Sequence, residues 1–226
     1  LHFKLNSPFF VSTNLLSTTR MIYLINNTID GEGVSPREIL DALHRLRPDE
    51  DVQVDLYKDV SLNRVAQLSP SHILLSGQSH PWDQYPAGSL DGVYDVIHNA
   101  TQPVLGVCGG HQQIAIAYGA RVDVMKRLGP GEGYENCLRE RGFFDIRTDG
   151  NGIFGALPEN PVVWHSHFDE VKELPDGFNC TASNETCPIQ AMQHKTRPVF
   201  GVQFHPELFD DEHPAGRQMV ENFLGL

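Results

Sequence analysis

In the run PVLGVCGGHQQIAIAYG (103–119), an apolar β-rich stretch meets Cys108 and turns at once into a helical pattern. Gly106 and Gly110 stand two residues to either side of the cysteine, as glycines flank the nucleophile of a strand–turn–helix elbow, where the tight turn crowds any side chain. A cysteine so placed is lifted out of the sheet. It also sits at a helix N-terminus, where unpaired backbone N–H groups and the helix dipole favour thiolate over thiol. A free cysteine is more often a buried packing residue, but glycines on both sides argue against that here.

The rest of the chain supplies a setting for such an elbow. From Met21 onward, β-rich runs alternate with segments of helical period, the pattern of a parallel sheet covered by helices. MIYLI (21–25), VQVDLY (52–57), HILLS (72–76) and PVLGVC (103–108) read as strands. Ser35 before Pro36 reads as an N-cap followed by proline at the first helical position, and Ile39, Leu40, Leu43 and Leu46 recur at helical spacing, which predicts a helix over 36–46. Further helices are expected from Leu90 to Asn99 and from Gln112 to Tyr118. Beyond them FFDIR (143–147) and VVWHSH (162–167) read as antiparallel hairpins added to the sheet. The strand VFGVQF (199–204) then leads through a polar turn to a last helix near Gly216 to Phe223. The expected fold class is α/β, as one domain over residues 21–226. Residues 1–20, with two basic residues and no acid, read as a poorly ordered extension rather than a transit peptide or secretory signal.

A cysteine nucleophile needs a base, and VFGVQFHPELF (199–209) offers one. Pro206 disfavours the helical region at His205 and keeps it extended, so His205 and Glu207 can project to the same side. Glu207 could then orient the imidazole and stabilise its charge, the third role of a triad. An oxyanion formed at the attacked carbonyl needs two backbone N–H groups. Gly109, after the nucleophile, supplies one, and the turn at Gly77 or Gln78 should supply the other. The side chain at Gln78 restricts φ and is expected to fix that peptide, with the amide pointing to the pocket mouth.

Together, Gly-Val-Cys-Gly-Gly-His-Gln (106–112) and Gly-Val-Gln-Phe-His-Pro-Glu (201–207) resemble the paired signatures of the class I glutamine amidotransferases over about residues 21–226. WHSHFDEVKELPDGF (164–178) and CPIQAMQH (187–194) are most similar to the glutaminase part of the GMP synthases within that family. The resemblance implies a flavodoxin-like, mostly parallel sheet with added antiparallel hairpins and a Cys108–His205–Glu207 triad. It also implies that Gln112 and the backbone at Ser166, His167 and Phe168 hold the amino-acid end of glutamine. The family usually has a Gly-Gly pair where this chain reads LLSGQS (74–79), with Gln78 in the second place. SHPWDQYP (79–86) is also unlike the GMP synthase pattern.

The implied activity is hydrolysis of L-glutamine to glutamate and ammonia without a cofactor. No Ser-Gly-Gly-Val-Asp-Ser-like pyrophosphate loop is present, so the ammonia is expected to go to a separate, ATP-dependent synthetase. Two other readings stay open: a hydrolase, peptidase or transferase acting on γ-glutamyl conjugates with the same triad, and a non-catalytic regulatory subunit. A formal net charge of −12 opposes binding to nucleic acid or an anionic membrane surface. Cys108, Cys137, Cys180 and Cys187 are too scattered for a disulfide framework, which fits a reducing cytoplasm; Cys180 and Cys187 would pair only in a secreted protein. In the family likeness Cys187 falls at a structural strand start, as a free core residue. Four Asn-x-Thr triplets, at Asn26, Asn99, Asn179 and Asn184, are the counter-signal. No metal is expected, because no carboxylate or cysteine at recognisable spacing completes a site around His165 and His167. The acidic run Asp210, Asp211 and Glu212 reads as a solvated loop with room for a partner contact.

Overall fold

Strands that are apolar on both faces can persist only between two layers of helices, and this chain builds that sandwich. The computed structural model describes residues 20–226, so the expected extension lies, but for Arg20, outside the described residues. The first half runs β1 (Met21–Asn26), α1 (Val34–Leu46), β2 (Asp51–Leu56), α2 (Leu62–Leu68), β3 (His72–Leu75), α3 (Asp91–Asn99), β4 (Val104–Val107) and α4 (Gly109–Ala117). The second half runs β5 (Val122–Val124), β6 (Glu140–Asp145), β7 (Arg147–Thr148), β8 (Val162–His167), β9 (Asp169–Val171), β10 (Phe178–Ser183), β11 (Ala191–His194), β12 (Val199–Val202) and α5 (Ala215–Leu224).

The main sheet has the order β2-β1-β3-β4-β12-β11-β10-β7. Its first five strands are parallel, the flavodoxin-like arrangement that the family resemblance implied, and β11, β10 and β7 extend it antiparallel. Along β1, Ile22 and Leu24 pack with Ile39, Leu43, Met219 and Phe223 of α1 and α5. Tyr23 and Ile25 pack on the other face with Val93, Val96 and Ile97 of α3 and Ile114 of α4. The period-2 alternation of a strand thus feeds two cores at once.

Two small ribbons, β5 with β9 and β6 with β8, lie outside this sheet. The second is tied to the end of β12, because the His205 N–H donates to the Trp164 carbonyl at 2.7 Å.

Several boundaries differ from the sequence reading. α1 begins at Val34 with Gly33 as N-cap, and Ser35 caps nothing; its hydroxyl instead accepts the Gly77 N–H at 3.0 Å. α4 begins at Gly109, directly after Cys108. α2 carries only one buried residue, Val65, so it leaves no apolar period to read. Its N-cap Ser61 accepts the Arg64 N–H at 3.1 Å. Two of the Asn-x-Thr acceptors are engaged by the fold: Asn26 bonds Thr28 and the Gly31 carbonyl, and Asn184 bonds Glu140. All four cysteines are free. Among the described residues no helix is long and apolar enough to cross a membrane.

Candidate active site

The carboxyl ends of β3, β4 and β12 converge on Cys108, the edge of an open parallel sheet where ligands bind. Cys108 has φ 49° and ψ −101°, a strained conformation for a residue with a side chain, worth about 1–3 kcal/mol. Backbone bonds on both sides hold it there: its N–H donates to the Val202 carbonyl at 2.8 Å, and its carbonyl accepts the Gln112 N–H at 3.1 Å. The flanking glycines answer to close packing. A Cβ on Gly106 would come within 2.4 Å of the Gly110 carbonyl, and one on Gly110 within 2.4 Å of the Leu75 oxygen.

β12 pairs with β4 in parallel, Val202 opposite Val107, so the segment after β12 lies beside the elbow. His205 Nδ1 and Glu207 Oε1 are 2.9 Å apart, both residues buried. Burial alone would discharge His205, but the charges of Glu207 and Cys108 outweigh it and hold the imidazole well above its ordinary range. The other carboxylate oxygen, Glu207 Oε2, is buried without a partner among the described residues. Gln203, two residues before His205, donates from Nε2 to Cys108 Sγ at 3.7 Å.

Two adjoining clefts open on the sulfur. One, of about 300 Å³, is lined by Gln78, Cys108, Gln112, Tyr134 and Ser166 to Asp169, so it gathers all four residues named for the amino-acid end of glutamine. Gln112 stands in it with its amide already occupied. Its Oε1 accepts from Gln78 Nε2 and Trp82 Nε1, each at 3.0 Å. Its Nε2 donates to the Asp169 carbonyl at 3.3 Å and to Gln203 Oε1 at 3.2 Å. Gln112 therefore braces the wall, and the unfamiliar SHPWDQYP stretch supplies Trp82 to that brace. Sequence reading missed Tyr134 and Asp169. The Tyr134 hydroxyl donates to the Asp169 carboxylate at 2.6 Å, and its ring stacks on Phe168. Burial outweighs the Tyr134 hydrogen bond and raises the Asp169 carboxyl above its ordinary range.

The three oxyanion candidates separate. The Gly77 N–H is engaged by Ser35, which removes it. The N–H groups of Gln78 and Gly109 have no acceptor among the described residues. Their backbones touch, since a Cβ on Gly109 would lie 2.5 Å from the Gln78 nitrogen. The Gln78 side chain does not point to the pocket mouth as expected. It lies across Gly109 and bonds Gln112, because Gly109 leaves room there that any larger residue would close.

The second cleft, about 410 Å³, holds Val34, Glu38, Gln78, Cys108, Arg141, Trp164 and His205. Burial and then the negative charge of Glu207 raise the Glu38 carboxyl above its ordinary range.

Behind the first cleft lies a carboxylate that the sequence reading did not connect with His165 and His167. The β6–β8 register sets Glu140 opposite His167. Glu140 Oε2 accepts from His167 Nε2 at 2.8 Å and Gln190 Nε2 at 2.7 Å, with His165 Nδ1 also 2.8 Å away. Oε1 accepts from Asn184 Nδ2 at 2.7 Å and from the Thr186 hydroxyl. Burial works against the charge, but the closeness of His165 and the bonds from His167 and Thr186 outweigh it and hold Glu140 well below the usual carboxylate range. With both oxygens surrounded by donors, the group anchors β8 and leaves no lone pair turned outward.

The profile of the glutamine amidotransferase class-I family matches residues 37–225. The glutamine-hydrolysing GMP synthase subunit of Thermococcus kodakarensis is 40% identical over 73% of this chain and 80% of its own length. Its counterpart in Pyrococcus abyssi is 39% identical over the same shares. A solved structure from Thermoplasma acidophilum, of a protein described as the same GMP synthase subunit, superposes with a TM-score of 0.75 at 30% identity, covering 92% of this chain and 93% of that one.

Proposed function

Because the chain belongs to the class I glutamine amidotransferase family, we propose that it hydrolyses L-glutamine to glutamate and ammonia and passes the ammonia to a separate synthetase subunit. The observation that carries the reading is a cysteine held at positive φ beside a buried histidine–carboxylate pair. Cys108 Sγ attacks the side-chain carbonyl of glutamine, and the oxyanion forms between the N–H groups of Gln78 and Gly109, each worth about 3 kcal/mol in the transition state. His205 gives its proton to the departing nitrogen, so ammonia leaves and a γ-glutamyl thioester remains. Glu207 holds the imidazole in line and balances its charge. Asp169 is the carboxylate lining the first cleft and suits the α-ammonium group of the substrate.

The ammonia acceptor is read as an ATP-dependent synthetase, and the reaction is placed in the cytoplasm, in keeping with four unpaired cysteines. Cys108→Ala tests the chemistry. The variant keeps the unfolding transition of the wild type, since loss of one sulfur opens no large cavity, and releases no ammonia from glutamine. Ammonia release at the wild-type rate would remove Cys108 from the mechanism.

A further inference from the structure

His205 lines the second cleft and not the first. If His205 is the group that protonates the departing nitrogen, the nitrogen leaves on that side of the sulfur, and the first cleft stays filled by the amino-acid end of the substrate. Water must then reach the thioester from the space the nitrogen vacated. A carboxylate stands on that wall. Glu38 projects from α1 so that one of its oxygens, a His205 ring nitrogen and a Glu207 oxygen all lie within 4.8 Å of one another. Glu38 is half-buried, and among the described residues it makes no hydrogen bond or ion pair of its own. An acceptor left unoccupied beside the base is where a water with two hydrogens to place would be held.

We propose that Glu38 positions the water that hydrolyses the thioester, and that the cleft it lines is the route by which ammonia leaves. The inference rests on the reading of Cys108 as the nucleophile. In the step, the water oxygen bonds to the thioester carbonyl carbon while His205, neutral after protonating ammonia, takes one water proton. The other hydrogen stays on the oxygen and is held by Glu38. The tetrahedral adduct then collapses, the C–S bond breaks, and Cys108 departs as thiolate beside the imidazolium. Glu38 keeps no proton: the product leaves through the first cleft as its γ-carboxylic acid and gives the remaining hydrogen to bulk water as it becomes glutamate. Burial and the charge of Glu207, which raise the Glu38 carboxyl, agree with a carboxylate set against another for a purpose other than an ion pair.

The experiment separates the two halves of the reaction in Glu38→Leu and Glu38→Gln. Rapid quenching with glutamine and mass measurement of the intact protein follow the first ammonia released and the γ-glutamyl adduct on Cys108. The expected result for Glu38→Leu is an unchanged first burst, a steady state about tenfold slower or more, and accumulated adduct. Added hydroxylamine, a stronger nucleophile, restores turnover as γ-glutamyl hydroxamate. Glu38→Gln, whose amide oxygen still accepts a hydrogen bond, retains more activity than Glu38→Leu. Unchanged steady-state rates in both variants overturn the proposal, and so does an equal slowing of burst and steady state with a lowered unfolding temperature. If the wild-type protein releases ammonia without passing through any adduct on Cys108, the reading of the nucleophile fails first.

Discussion

His205 with Glu207 and His167 with Glu140 are both buried histidine–carboxylate pairs, and of these two the first faces the sulfur of Cys108. His205 and Glu207 are two residues apart in sequence and 2.9 Å apart in space. His167 and Glu140 are 27 residues apart and 2.8 Å apart. Distance and burial do not distinguish them; what remains unsatisfied does. Glu140 is ringed by Gln190, Asn184 and Thr186 as well as the histidine, and His167 Nδ1 is tied to the Asp169 carbonyl at 3.0 Å. Glu207 keeps one buried oxygen without a partner among the described residues, and His205 is turned to Cys108 and an open cleft. A saturated pair fixes structure, whereas a pair with capacity left over can take part in chemistry.

Removing the two imidazoles is the strongest way to break that contrast. His205→Ala should lower kcat by roughly 10⁴-fold or more. His167→Ala should lower it by no more than about tenfold, with a raised KM for glutamine, because β8 loses its anchor while the triad stays whole. Steady-state ammonia assays on both variants decide, and comparable kcat losses would erase the distinction.

The carboxylates should behave the other way round in stability. Glu140→Gln should cost about 3 kcal/mol in denaturant unfolding, since it leaves several buried donors without their anion; Glu207→Gln, with one hydrogen bond at stake, should cost less. The acid dependence carries the same sign. Glu140 is held below its unfolded value, so its contribution is complete above a pH of about 4.3 and is lost as pH falls below it. Unfolding curves of the wild type should therefore weaken in acid more steeply than those of Glu140→Gln.

The smallest effect is a displacement of one limb of a pH profile. Glu207 helps to hold His205 charged, so the imidazolium is kept as pH rises until it passes the raised value. Glu207→Gln should move the alkaline limb of kcat/KM to lower pH by about one unit while keeping more activity than His205→Ala. An unmoved limb would mean that Glu207 orients the ring without supporting its charge.

The same contrast explains what could be read from the sequence. Cys108, Gly106 and Gly110 announce themselves because one local turn forces all three, and His205, Pro206 and Glu207 because a proline sets their direction. The parallel half of the sheet was legible from its apolar runs. The far wall was not. Glu140, Tyr134, Asp169 and Trp82 reach the site through loops and a ribbon register that no local period encodes, and Glu38 faces it from a helix in which only the apolar spacing carries a signal. Ser35 shows the same limit in reverse: its spacing before Pro36 fits a helix cap, yet the hydroxyl is engaged by a loop 42 residues away.

The place of β12 between β4 and β11 governs the order in which this enzyme can come into being. Its partners on the β4 side lie some 95 residues earlier in the chain, as Gln203 does from Cys108. A nascent chain emerges from its N-terminus, so the elbow is synthesised long before its base, and until β12 docks, β4 presents an open edge to any passing strand. Closing so long a loop late makes folding slow relative to a chain of local contacts. Cys108 stays without His205 through that interval, so the proposed catalytic pair and a closed sheet arrive in the same folding event.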